Sequence, residues 1–111
     1  MKLPNGDRVL IPQEKLVDYC LNPNHSHGKH KAIIFKAVLS FTADNADQLR
    51  QMIQQAAIEG EVIQQNLTEK GETFKVDWEI PETQGRKLRT TWEIAYNSNV
   101  PRLITAFIKR R

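Results

Sequence analysis

The sequence predicts an α+β fold, with N-terminal helices (two to three) packed on a C-terminal antiparallel sheet of about four strands. Two observations carry that class. Up to about residue 60 the apolar residues recur at helical spacing, and from residue 61 the period falls to two. Turn signals separate the later runs, at "EKGE" (69–72), "ETQG" (82–85) and "NSNVP" (97–101). With 111 residues and a hydrophobic fraction of 40%, the chain suits one domain, 1–111, and composition argues against disorder.

The elements follow in order. "PNG" at 4–6 is a turn, and "RVLI" is a short β-prone run closed by Pro12. In "QEKLVDYCL" the residues Leu16, Val17, Cys20 and Leu21 form one face of a short helix, which Asn22-Pro23 stops. A polar loop from Asn24 to about Gly28 leads to a second helix, marked by Ala32, Phe35 and Leu39. Thr42 or Asn45 can cap a third helix, Asn45 with Gln48 resembling a capping box. Leu49, Met52, Ile53 and Ala56 form its stripe, and Gly60 fits the position just past its end. Then Phe74, Val76, Trp78 and Ile80 alternate with polar residues, as do Thr90, Trp92, Ile94 and Tyr96. "RLITAFI" (102–108) is apolar on both faces and predicts a central or covered strand, while "EVIQQNL" (61–67) predicts a shorter edge strand. Trp78 and Trp92 share the apolar phase and are expected in the core rather than stacked on a base.

A formal charge of +3 permits an anionic partner without requiring one. The single cysteine, Cys20, excludes an internal disulfide and reads as a small buried residue. No apolar h-region opens the chain and no run reaches membrane-spanning length, so a cytoplasmic protein with no membrane partner is expected.

All three histidines lie in "LNPNHSHGKHKAIIF" (21–35). His25, His27 and His30 lack the cysteine or acidic partners of a zinc site, so neither a metal nor another cofactor is expected. Gly28 followed by "KHKA" resembles a loop feeding a helix N-terminus, where free N–H groups and the helix dipole favour an anion. Lys29 and Lys31 oppose that dipole, which hints at a phosphate nearby. The Walker spacing is absent, which disfavours a nucleoside triphosphate and leaves the phosphate of a nucleic-acid backbone. Histidine can act as acid or base near neutral pH, and lysine or arginine can hold the charge that develops on a phosphate. Arg89 with Thr91 on the polar phase of one strand, and Arg102 with Thr105 at the start of the last, can complete such a site. The ordinary structural reading is that strands carry exposed Arg and Thr routinely. One shared site requires His25–Lys31 to lie within about 10 Å of Arg89 and Thr105, since all must reach one phosphate.

"MKLPNGDRVLIPQEKLVDYCLNP", "H-x-x-G-x-H-K-A-x-x-F" and "R-x-x-W-x-I…P-R-L-I-T-A-F-I" together resemble a small bacterial domain family over nearly the whole chain. That family has an LNPxHxxGxHKA loop and a PRLVT-type last strand. It is similar in turn to the barnase/EndoU/colicin/RelE-like superfamily of toxin nucleases. The resemblance implies helices on an antiparallel sheet, metal-independent cleavage of RNA by 2′-hydroxyl attack, and a small antitoxin or immunity-type partner. The positions carried over are His25, Gly28, His30, Lys31, Ala32, Arg89, Trp92, Pro101, Arg102 and Thr105. His27 departs from the pattern, and Phe107 stands where the pattern has a tyrosine. The expected catalytic set is therefore His25, His30, Lys31, Arg89 and Thr105, with Gly28, Lys29 and Arg102 binding phosphate. The rival expectation is a non-enzymatic binding or accessory module of a small bacterial operon, with these polar residues scattered. Either reading allows a homodimer.

Overall fold

A computed structural model describes residues 1–109. Two α-helices, α1 (Lys29–Leu39) and α2 (Ala46–Glu59), precede four strands: β1 (Glu61–Leu67), β2 (Gly71–Glu79), β3 (Lys87–Ala95) and β4 (Arg102–Ile108). The strands form one antiparallel sheet in sequence order, β1-β2-β3-β4. The α+β class thus stands. α2 packs on β2 and β3, while α1 and the segment before it pack on β4.

Period-two patterning explains the sheet's two faces. Phe74, Val76, Leu88 and Trp92 are buried, and they meet Leu49, Ile53 and Phe35 from the helices in one core. Trp92 is fully buried, and its indole N–H donates to the Thr90 hydroxyl at 2.8 Å. Trp78 is half-buried against the same core. Both tryptophans are therefore packing residues, as their phase predicts. β3 and β4 register shifts between Thr91 and Trp92, so Thr105 and Phe107 fall on the face away from the core, beside Thr91 and Arg89.

Several expectations need correction. "RLITAFI" lies at one edge of the sheet, not in its centre. Its apolar faces are explained by cover: Leu10 pairs with Arg102 in a parallel bridge, and the helical segments close the rest. "RVLI" accordingly yields that one bridge and no strand. "EVIQQNL", by contrast, forms the expected edge strand, shorter than β2 and β3 and mostly exposed. Tyr96 lies past the end of β3 and is exposed, its hydroxyl donating to the Thr68 carbonyl. Thr42, not Asn45, opens the capping box, around a 3-10 turn at Ala43–Asn45 that leads into α2. Gly60 is extended rather than left-handed. What it provides is space: a Cβ there would sit 2.5 Å from Val76 Cγ1 and 2.6 Å from the Ala56 carbonyl oxygen.

Lys15–Cys20 is a π-helix, closed by Leu21 N–H donating to the Leu16 carbonyl at 2.9 Å. It buries Leu16 and Cys20 beside β4. Burial pushes the Cys20 thiol from 9.0 up to about 11, and a hydrogen bond from the Ala106 backbone offsets only part of that. The sign follows from an acid whose folded pKa is raised. Its stability is complete below about pH 9, declines as the unfolded thiol ionises, and is lost through about pH 11, about 3 kcal/mol in all. Urea midpoints at about pH 8 and pH 10.5 check this: the wild type should lose more stability than Cys20→Ala between the two.

Candidate functional site

The site begins with a loop that folds on one histidine. His25 Nδ1 accepts the backbone N–H groups of His27 and Gly28, each at 3.0 Å, and the His25 carbonyl accepts the Lys29 N–H at 3.0 Å. With Nδ1 accepting, the neutral imidazole carries its proton on Nε2. Gly28 is needed because the loop presses on the π-helix: a Cβ would lie 2.5 Å from the Tyr19 carbonyl oxygen. That contact brings the Tyr19 ring edge-on to His25, with centroids 4.9 Å apart. It also starts α1 beside the π-helix, which sets the position of Lys31.

Lys31 gathers the site. Its Nζ donates to the Tyr19 hydroxyl at 2.8 Å and to the Thr105 hydroxyl at 3.3 Å. It also lies 5.0 Å from the Tyr19 ring and 5.1 Å from the Phe107 ring, so two aromatic faces flank the ammonium. Lys31 comes from the helical layer, whereas Thr105 and Phe107 lie on the sheet's other face. The side chain therefore reaches past the β4 edge, and Lys31, Tyr19, Thr105 and Phe107 are all only half-buried. The ammonium favours the ionised phenol and lowers the Tyr19 pKa. Burial opposes that, and Thr105 reinforces it. Alkaline absorbance titration should therefore resolve an early tyrosinate component that vanishes in Tyr19→Phe and moves to higher pH in Lys31→Met.

Arg89 is the register neighbour of Phe107 on one side and of Asp77 on the other. Its guanidinium clasps Asp77 bidentately, Nε to Oδ1 at 2.8 Å and Nη2 to Oδ2 at 3.1 Å. The carboxylate keeps Arg89 charged beyond its ordinary range. Lys109 adds a longer contact to Asp77 at 3.9 Å. Arg89 thus lies next in line to the Lys31 cluster, but much of its charge is already answered.

The other expected residues stand apart to different degrees. His30 and Lys29 are exposed on the first turn of α1, and among the described residues neither side chain is hydrogen-bonded or ion-paired to the cluster. Arg102 is exposed at the far end of β4, opposite Glu93. The backbone N–H of Gly28, offered above to a phosphate, is occupied by His25. Arg110 and Arg111 of the basic C-terminus lie outside the described residues. Among the described residues no three His, Cys, Asp or Glu side chains are grouped as metal ligands, and no helix is long and apolar enough to cross a membrane.

Two members were missed in the sequence. Tyr19 falls off the α-helical face drawn through Leu16, Val17, Cys20 and Leu21, and the π-winding is what turns it towards Lys31. Asp77 reads only as a polar alternate in β2. Its position opposite Arg89 was a usable signal, since opposite charges across neighbouring strands attract.

Comparison with known proteins fits this frame. The fold is similar to a chain of a contact-dependent growth inhibition toxin–immunity protein complex from Klebsiella pneumoniae 342, with a TM-score of 0.68. The match covers 90% of this chain and 99% of that one at 17% identity, so the likeness is one of fold. No curated protein matches the sequence. Residues 2–110 match a family model described as a domain of unknown function, DUF6883, and with nearly the whole chain inside that match, the protein belongs to this family.

Proposed function

We propose that the protein is a metal-independent ribonuclease of toxin type, cleaving RNA by attack of a 2′-hydroxyl on the adjacent phosphate. The observation that supports it best is the meeting of Lys31 with Tyr19 and Thr105 at 2.8 and 3.3 Å. An ammonium with hydroxyls around it, beside an imidazole and on an open surface, suits a phosphodiester that must lie across the protein rather than enter it. Two apolar grooves, of 370 and 520 Å³, lie elsewhere, lined by Leu21, Ile33 and Phe41 and by Met52, Trp78 and Pro81.

In this reading Lys31 holds the charge that develops on the phosphoryl oxygens, and Thr105 orients them. His25 offers Nε2–H to a phosphoryl oxygen, because its Nδ1 is committed to the loop. His30, exposed on the first turn of α1 and apart from the cluster, takes the 2′-hydroxyl proton when an RNA strand lies across both. Arg89 adds attraction weakened by Asp77, while Lys29 and Arg102 serve neighbouring phosphates and Gly28, its N–H held by His25, only shapes the loop. The similarity to a chain of a toxin–immunity protein complex supports a small neutralising protein as partner.

Induced expression in bacteria tests the reading. The wild type should arrest growth, and His25→Ala and Lys31→Ala should restore it. Variants that grow no better than the parent would count against it. The closed Arg89–Asp77 pair favours a second reading, a non-enzymatic binding module of toxin–immunity type, which would leave growth unaffected throughout.

A further inference from the structure

Tyr19 has no task in the chemistry above, yet it sits closest to the ammonium. We propose that Tyr19 is the general acid of the cleavage, giving its phenolic proton to the departing 5′-oxygen. The inference rests on the ribonuclease reading and adds the residue that performs one of its steps.

The hydrogen bonds give the direction of transfer. An ammonium has no lone pair, so at 2.8 Å Lys31 can only donate to the Tyr19 oxygen. The phenolic proton is thereby not engaged by Lys31, and the hydroxyl beside it is that of Thr105, whose hydrogen bond favours the ionised phenol. Tyr19 is half-buried rather than enclosed, which leaves the cluster within reach of a substrate on the surface. Lys31 then serves both sides of the step, since it attracts the phosphate and steadies the phenolate left behind. The lowered pKa of Tyr19 agrees with that arrangement. Phe107 has no proton to give, although its ring lies 5.1 Å from the same ammonium. The phenol therefore enters from the π-helix and not from the last strand.

The step balances. The 2′-hydroxyl proton passes to His30, the 2′-oxygen bonds to phosphorus, and the bond from phosphorus to the 5′-oxygen breaks. The electron pair left on that oxygen takes the Tyr19 proton. The products are a 2′,3′-cyclic phosphate and a 5′-hydroxyl, and water returns a proton from His30 to Tyr19.

The test compares two substrates with Tyr19→Phe. One is an RNA oligonucleotide, whose 5′-oxygen leaves poorly without a proton. The other is uridine 3′-(4-nitrophenyl phosphate), whose leaving group needs none. The expected result is a fall of about 10²–10⁴-fold on RNA and only a few-fold on the aryl ester. An equal loss on both would overturn the proposal and leave the ribonuclease reading standing, with Tyr19 merely positioning Lys31. A wild type inactive on both would overturn that reading and this one with it. A second measurement does not depend on Tyr19→Phe folding. Fluorotyrosine incorporated in a Tyr96→Phe background leaves Tyr19 as the one labelled phenol. The alkaline fall of the pH–rate profile on RNA should move to lower pH, and an unmoved profile overturns the proposal.

Discussion

Lys31→Met should lower RNA cleavage by about 10²–10³-fold while the protein stays folded, the scale expected when one preorganised charge at a reacting group is removed. Methionine keeps the unbranched stem between Tyr19 and Phe107, so packing changes little. What disappears is the ammonium, and with it the link from the π-helix to Thr105. Single-turnover cleavage at saturating protein separates this from weaker binding. Loss in kcat identifies charge stabilisation in the transition state, whereas a rise in KM alone would reduce Lys31 to a docking contact. A matching urea midpoint for variant and parent completes the measurement, since a half-exposed site tolerates this exchange within about 1 kcal/mol.

Trp92→Ala should have the largest effect on stability, about 3–5 kcal/mol. Trp92 is fully buried in the centre of β3, where it pairs with Phe74 of β2 and Leu103 of β4. Truncation leaves a large void and also removes the indole donor to Thr90, whose hydroxyl lies in the same buried layer. Chemical denaturation followed by far-ultraviolet circular dichroism reads the loss. Because β3 carries Arg89 and braces β4, cleavage should weaken with the fraction folded and recover under stabilising solutes. A stable Trp92→Ala variant would mean that the core is not organised around this ring.

The fold was legible because the change of period is a property of the chain itself. Stripes through Phe35 and through Leu49 and Ile53 place α1 and α2, and alternation through Phe74 and Trp92 places the sheet. Neighbours across the fold were less legible. The composition of "RLITAFI" reveals two covered faces but not whether strands or helices cover them, and an edge strand flanked by Leu10 and the helices satisfies the same pattern. Lys31 and Thr105 were recognisable as residue types. Their contact depends on which helix lies along which strand edge, and no local signal encodes that. Tyr19 was hidden for a narrower reason, because a π-turn redirects a side chain that α-helical counting sends elsewhere. Arg89 was legible as a cation on the polar phase, whereas its neutralisation by Asp77 depends on the β2–β3 register.

The ribonuclease proposal meets its most direct test in one cleavage assay. Purified protein is incubated in excess EDTA with an RNA oligonucleotide and with the same oligonucleotide bearing a single 2′-deoxy substitution at the mapped cleavage position, and the products are identified by mass. The expected result is cleavage of the all-RNA strand to a 2′,3′-cyclic phosphate and a 5′-hydroxyl, with the substituted strand intact at that position. An uncut all-RNA strand, or cleavage that ignores the missing 2′-hydroxyl, would contradict it.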